Sequence, residues 1–433
     1  MRVLRRHCVF GITGVLASLA LQSATAQEQQ PIPEPPDLDG FPVTGEAFTS
    51  LIAIDTAMKR LMKEHQYPGA SLAIAREGRL LFARGYGFAD RESNRFASPR
   101  DLFRIASISK PITAVAVLKL VEQGKLSLSD KVWSLLALSE PKDPRWKEIT
   151  IHHLLDHSGG WDRDASFDAM FKSVEFAKEA NLPPPADQKT VIQSMLTRDL
   201  DFAPGAKYAY SNFGYCLLGR VIEKVTGEAY DAYVKRAVLF PAGACHMRLG
   251  ATRTSDTAAG EVRYYDNDRT GPSVFEADLG QKVPTPYGCW NLEAMDAHGG
   301  WVSSSLDLVR FGSYLLRPSG APVLKQASLD LMWGPSPGSL GHDNGGARKN
   351  NYYALGWNVR HGKGTTVLHT GSLPGTSTLL QIHRETQTVW AALFNTRTGA
   401  KNVLPSKVMQ DSIPGWMEGV SQWPVGDLFS RVG

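Results

Sequence analysis

Ser107 and Lys110 stand three residues apart, just ahead of an apolar run from Ile112 to Gly124. Ile112, Ala114, Val115, Ala116, Val117, Leu118, Leu120 and Val121 make that run read as a buried helix, with Gly124 where a helix-ending glycine belongs. Pro111 fits the first turn, where backbone N–H groups lack helical partners. A spacing of three puts the Ser107 hydroxyl and the Lys110 amine on one face, one turn apart. Desolvation disfavours a charged amine on such a helix, so its pKa falls and it can take a proton from a neighbouring hydroxyl. That is the chemistry of an activated serine nucleophile. The spacing alone is a weak signal, since Ser139 and Lys142 share it.

Two further elements strengthen it. Tyr210 and Asn212 lie two apart on a turn entering the helix of Leu217, Leu218, Val221 and Ile222, each able to point into a cleft. His369-Thr370-Gly371-Ser372 falls at a strand end, where the glycine permits close backbone approach, so that a substrate can lie along the strand edge.

Ser-x-x-Lys, Tyr-Ser-Asn and His-Thr-Gly, in this order, resemble the serine β-lactamase and penicillin-binding-protein family. The likeness is to its branch of class C β-lactamases, D,D-carboxypeptidases, D-aminopeptidases and esterases. It extends from Pro68-Gly69-Ala70 through Pro204-Gly205 and His298-Gly299-Gly300-Trp301 to Asn395. The resemblance implies that Ser107 is acylated, that Lys110 accepts its proton, that Tyr210 shuttles the proton and that Asn212 hydrogen-bonds the substrate. It implies an oxyanion hole from the backbone N–H groups of Ser107 and Ser372. Which of Lys110 and Tyr210 is the base stays open, because the two titrate together. His369 stands where many relatives carry lysine. It offers less fixed charge, so affinity for anionic substrates is expected to rise as pH falls through its pKa, unless Arg397 handles the carboxylate. Trp290 is expected at the substrate. The function implied is an exported serine hydrolase, periplasmic or secreted: an esterase or a D-amino-acid peptidase or D,D-carboxypeptidase acting on small esters or peptides, including peptidoglycan fragments. A true β-lactamase and a non-catalytic scaffold that binds peptidoglycan are the alternatives. No cofactor or metal is expected.

Other patterns carry less. Gly334-Pro335-Ser336-Pro337-Gly338 matches a nucleophile-elbow spacing, but Pro337 lacks the N–H that an elbow donates after its serine. His152, His153 and His157 invite a metal reading, against which no glutamate base lies between His153 and His157. Structural hydrogen bonding is the simpler expectation. Cys216, Cys245 and Cys289 allow one disulfide at most, with Cys245–Cys289 a possible pair.

The elements that must position these residues follow from the rest of the chain. Residues 1–26 read as a secretory signal: Arg2, Arg5 and Arg6, an apolar stretch from Val9 to Leu21, then Ala24-Thr25-Ala26. Its removal brings the formal charge from +4 to about +1, which argues against a nucleic-acid partner. No membrane span is expected in the mature chain. Residues 27–44 form a proline-rich lead-in, 45–415 the hydrolase body and 416–433 a C-terminal tail. Helical periodicity runs from Glu46 to Glu64, and β-rich runs follow at Ala70–Ala75 and Leu80–Gly85. Strands return after Tyr353, with helices and loops between. The expectation is an α+β body: one antiparallel sheet built from both chain ends, flanked by helices, with a mainly helical lobe inserted.

Overall fold

A computed structural model describes residues 40–316, 323–343 and 345–432. The segment read as a secretory signal and most of the lead-in lie outside these residues. From the N-terminal side come strands β1 (Val43–Ala47), β2 (Gly69–Arg76) and β3 (Arg79–Asp90). From the C-terminal side come β4 (Asn351–Tyr353), β5 (Asn358–Gly362), β6 (Gly364–Leu373), β7 (Thr376–His383) and β8 (Thr388–Phe394). They join in the order β1-β3-β2-β8-β7-β6-β5-β4, and Arg95–Phe96 adds to β3 to complete a nine-stranded sheet. All these pairings are antiparallel, and the seam between the two chain ends runs from Ala70 opposite Phe394 to Arg76 opposite Thr388.

The central strands β2 and β8 are apolar along almost their whole length, because helices cover both faces of the sheet. Successive residues of β8 point opposite ways. Val389 meets Gly312 of a helix at Ser305–Leu315, while Trp390 meets Trp416 of a helix at Pro405–Glu418. The C-terminal tail from residue 416 thus packs against the sheet. Leu428 is fully buried, and its N–H donates to Leu80 O at 2.8 Å. The periodicity from Glu46 is likewise interrupted: β1 runs to Ala47, and α1 begins only at Ile52, ending at His65. The edge of β3 supplies a long-range partner that overrides the local pattern there.

The inserted lobe surrounds α2 (Ser109–Glu122), which is buried on all sides down to Leu118 because its sequence has no polar face to offer solvent. Against it lies α3 (Asn212–Thr226), N-capped by Ser211, whose Oγ accepts from Gly214 N. No disulfide joins the three described cysteines: Cys216 is buried in α3, and Cys289 sits against Gly271 and Val283.

Candidate active site

A short strand, Phe103–Arg104, delivers the chain to Ser107, pairing with Trp301–Ser303. Arg104 holds that strand. Its guanidinium is fully buried and donates to Pro286 O at 2.6 Å, Ala251 O at 2.8 Å and Thr252 O at 3.1 Å. It also lies 4.4 Å over Tyr264, 5.5 Å over Tyr287 and 5.4 Å over Trp290. This corrects the expectation for Trp290. It is 2% exposed, its indole N–H donates to Thr285 O at 3.1 Å, and it forms one wall of the Arg104 box instead of touching the cavity.

Ile105 N donates to Trp301 O at 3.0 Å, and the carbonyls of Arg104 and Ile105 accept from Thr376 Oγ1 (2.8 Å) and Thr378 Oγ1 (2.9 Å) of β7. The chain then reverses at Ala106, whose φ of +47° is a left-handed conformation that a residue with a Cβ seldom adopts. A 3₁₀ turn, Ala106–Ile108, runs into α2 and leaves Ser107 half-exposed at a cavity of about 420 Å³. Gly371 packs against this turn: a Cβ built on it would lie 2.0 Å from Ile105 O. The glycine thus serves the approach of β6 to the Ser107 turn, whereas the sequence suggested an approach of substrate. Its neighbour Ser372 is exposed and lines the cavity.

Lys110 is fully buried. Its Nζ lies 3.0 Å from Ser107 Oγ, 2.8 Å from Asn212 Oδ1 and 2.9 Å from His298 O. Burial holds its pKa well below the usual lysine range; Asp168 opposes that shift and Arg163 assists it. A neutral amine has two N–H groups and one lone pair. Since the Asn212 and His298 oxygens can only accept, they take the N–H groups and turn the lone pair toward the Ser107 hydroxyl. The Asn212 amide is oriented in turn by donating to Asp168 Oδ2 at 2.6 Å. Tyr210 is hydrogen-bonded to Ser107, and burial raises its pKa above the usual phenol value. Its ring lies 4.8 Å from Lys110 Nζ.

His369 lies behind this group, 2% exposed. Its Nδ1–H donates to Thr370 O at 2.8 Å, which leaves Nε2 to accept from the Tyr353 hydroxyl at 3.0 Å. Burial, above all, pushes its pKa down to about 3. His369 is thus held neutral at physiological pH as a support for Tyr353, in a place where it does not line the cavity beside Ser107.

The other histidines have separate tasks. His153 shares a capping box with Thr150 at the start of the short helix Ile151–Leu155. His152 faces Asp156 at 3.3 Å, and His157 packs its ring 4.3 Å from Tyr210 and 4.6 Å from Tyr353. Among the described residues no three potential metal ligands gather. Sequence reasoning missed Arg163, Asp168 and the His298 carbonyl. Arg163 and Asp168 sit in a loop with no periodicity to single them out, and a main-chain oxygen has no signature in a sequence. Arg163, Asp168, His298 and Arg397 all line the cavity beside Ser107.

Residues 54–407 match the family described as Beta-lactamase. The chain is 29% identical over 337 residues to a penicillin-binding protein of Bacillus subtilis (strain 168), covering 76% of this chain and 68% of that protein. It is 31% identical over 256 residues to Esterase EstB of Burkholderia gladioli, covering 58% and 63%. Two solved structures share the fold with a TM-score of 0.64. The penicillin-binding protein homologue from Pyrococcus abyssi is 24% identical, with 86% of this chain and 79% of that chain covered. The D-amino acid amidase from Ochrobactrum anthropi SV3 is 21% identical, with 85% and 98% covered. A match over most of the chain, borne by a fold that brings the Ser-x-x-Lys and Tyr-Ser-Asn motifs together beside β6, makes this protein a member of the Beta-lactamase family of serine hydrolases.

Proposed function

We propose that this protein is an exported esterase or D-amino-acid peptidase that works through an acyl-enzyme on Ser107. The observation that carries the reading is the fully buried Lys110 amine 3.0 Å from Ser107 Oγ, its other two partners being acceptors only. Ser107 Oγ attacks the carbonyl carbon of an ester or amide while its proton passes to Lys110 Nζ. The resulting oxyanion is held by the backbone N–H groups of Ser107 and Ser372. Tyr210 relays the proton from Lys110 to the departing alkoxide or amine, and the acyl group remains on Ser107. Water then attacks the acyl-enzyme, giving its proton to the Tyr210–Lys110 pair, and that proton returns to Ser107 as the acid leaves. An ammonium at Lys110 has three N–H donors, and the same three oxygens receive them, so the transfer needs no rearrangement.

The match to an esterase and to a penicillin-binding protein supports ester and peptide substrates, peptidoglycan fragments included. The sequence of residues 1–26 supports export to the periplasm or medium. A true β-lactamase is disfavoured by His369, which is neutral and buried where a lysine would hold the carboxylate of a penicillin.

Intact-mass measurement after exposure to a fluorophosphonate and to a β-lactam, with Ser107→Ala as control, tests the reading. Adducts are expected on the wild type alone, with short-chain p-nitrophenyl esters or D-alanyl peptides turned over faster than a chromogenic cephalosporin. Labelling that persists in Ser107→Ala removes the nucleophile assignment, and faster cephalosporin turnover reverses the ranking.

A further inference from the structure

His369 is buried and neutral behind the catalytic group, and Arg163 lies where a permanent charge can act on that group. The Arg163 guanidinium carbon lies 4.6 Å from the centroid of the Tyr210 ring, and the residue lines the cavity with Ser107. Lys110 Nζ lies 4.8 Å from that same centroid. The two basic groups are therefore within about 10 Å of each other, a distance at which a unit charge is strongly felt at a partly buried site.

The turn that carries Arg163 is anchored. Asp162 Oδ1 accepts from Asp164 N (3.1 Å) and Ala165 N (3.3 Å), Asp162 N donates to Asp201 Oδ2 (2.7 Å), and Lys207 pairs with Asp162 at 2.6 Å. Arg163 itself makes only a loose ion pair with its neighbour Asp164, at 3.9 Å and with a side chain that is 91% exposed on the acidic partner. Its charge is thus not spent on a tight partner.

We propose that Arg163 is the cation that acts on the Tyr210–Lys110 pair, a positioning residue that keeps the pair ready to deprotonate Ser107. The proposal rests on the catalytic reading of Ser107 and Lys110 given above. The charges that bear on Lys110 are Asp168, which favours its protonated form, and Arg163, which opposes it. Among the other groups around the pair, His157, His298 and His369 are held neutral by burial and Tyr208, Tyr215 and Tyr353 are held protonated, while Asp164 and Arg397 are the other charged residues that line the cavity. Arg163 also disfavours the proton on Tyr210, so its removal shifts both members of the pair the same way.

The test is the pH dependence of kcat/KM for p-nitrophenyl acetate, a neutral ester, in the full-length wild type, Arg163→Gln and Arg163→Lys. In Arg163→Gln both limbs of the profile move up by about one pH unit, the shift a unit charge at this range produces with an effective dielectric constant near 20. At a pH below the acid limb the rate falls about tenfold, while Arg163→Lys keeps the wild-type profile. Asp168→Asn, which removes the opposing charge with little change of shape, moves the acid limb down. A Gln variant whose profile superimposes on wild type, a Lys variant that shifts as far as Gln, or an unmoved acid limb in Asp168→Asn overturns the proposal. Fluorophosphonate labelling of Ser107 in the wild type separates the two readings. Its absence removes the catalytic assignment, whereas a labelled, active enzyme with unmoved limbs removes only the role of Arg163.

Discussion

At the scale of single residues, Lys110 is governed by what its neighbours cannot do. Asn212 Oδ1 and His298 O have no proton to give, so the lone pair of the amine has one hydroxyl left to face. On the proposed mechanism Ser107 and Lys110 act as one proton-transfer unit, and losses within such a unit are not additive. Lys110→Ala is expected to lower kcat/KM by about 10³-fold, within the range of general-base contributions, and the Ser107/Lys110 double variant to be little worse than Ser107→Ala alone. A double variant slower by the product of the two losses contradicts a shared mechanism. These two residues were legible in the sequence because their meeting is local: one helical turn brings them together whatever the rest of the fold does. Trp290 and His369 were misjudged for the opposite reason. Whether an aromatic or an imidazole faces a cleft or a core depends on distant partners, here the Arg104 guanidinium and the Tyr353 hydroxyl.

At the scale of elements, the Ser107 turn is held from two directions. The strand Trp301–Ser303 holds it through Ile105 N and Trp301 O, and β6 and β7 press on it through Gly371, Thr376 and Thr378. Because a side chain at position 371 would lie 2.0 Å from Ile105 O, Gly371→Ala must push β6 and the turn apart. Loss of kcat/KM by at least ~10²-fold is expected, comparable to the effect of a misplacement of about 1 Å at a reacting group, with secondary structure by circular dichroism retained. An Ala variant with wild-type activity would show that the turn and the strand can separate without consequence. The long elements of the fold were readable from hydrophobic pattern, α2 most clearly, since a stretch with no polar face must be buried. The short pieces were not. Strands such as Phe103–Arg104 and Arg248–Leu249 span two residues each, too few to show a period, and exist only because Trp301–Ser303 offers them an edge.

At the scale of the whole molecule, the neutral histidines tie stability to pH. The His369 pKa is about 3 in the folded protein, against a reference near 6.5 in an unfolded chain. Below pH ~6.5 the unfolded chain binds the extra proton and the folded one does not, so this contribution to stability is present above pH ~6.5 and lost as pH falls. Between pH 7.5 and 5.5 the loss from one such group is about 1.4 kcal/mol. His369→Gln keeps a donor and an acceptor but cannot titrate. Urea denaturation at the two pH values should show the wild type losing about 1.4 kcal/mol more than this variant. Parallel behaviour of the two proteins would mean that His369 is protonated in the folded state.

The seam between β2 and β8 has a further consequence for a chain still being made. Ser107, Lys110, Tyr210 and Asn212 are all synthesised before the ribosome reaches β6, yet Ser372 stands on β6, and the sheet that supports it closes only when Thr388–Phe394 can lie beside Gly69–Arg76. Contacts so distant in sequence form late. On the proposed assignment, a nascent chain that stops short of Thr388–Phe394 carries the reactive side chains without the wall that completes their cavity, and activity waits on the closing of this seam.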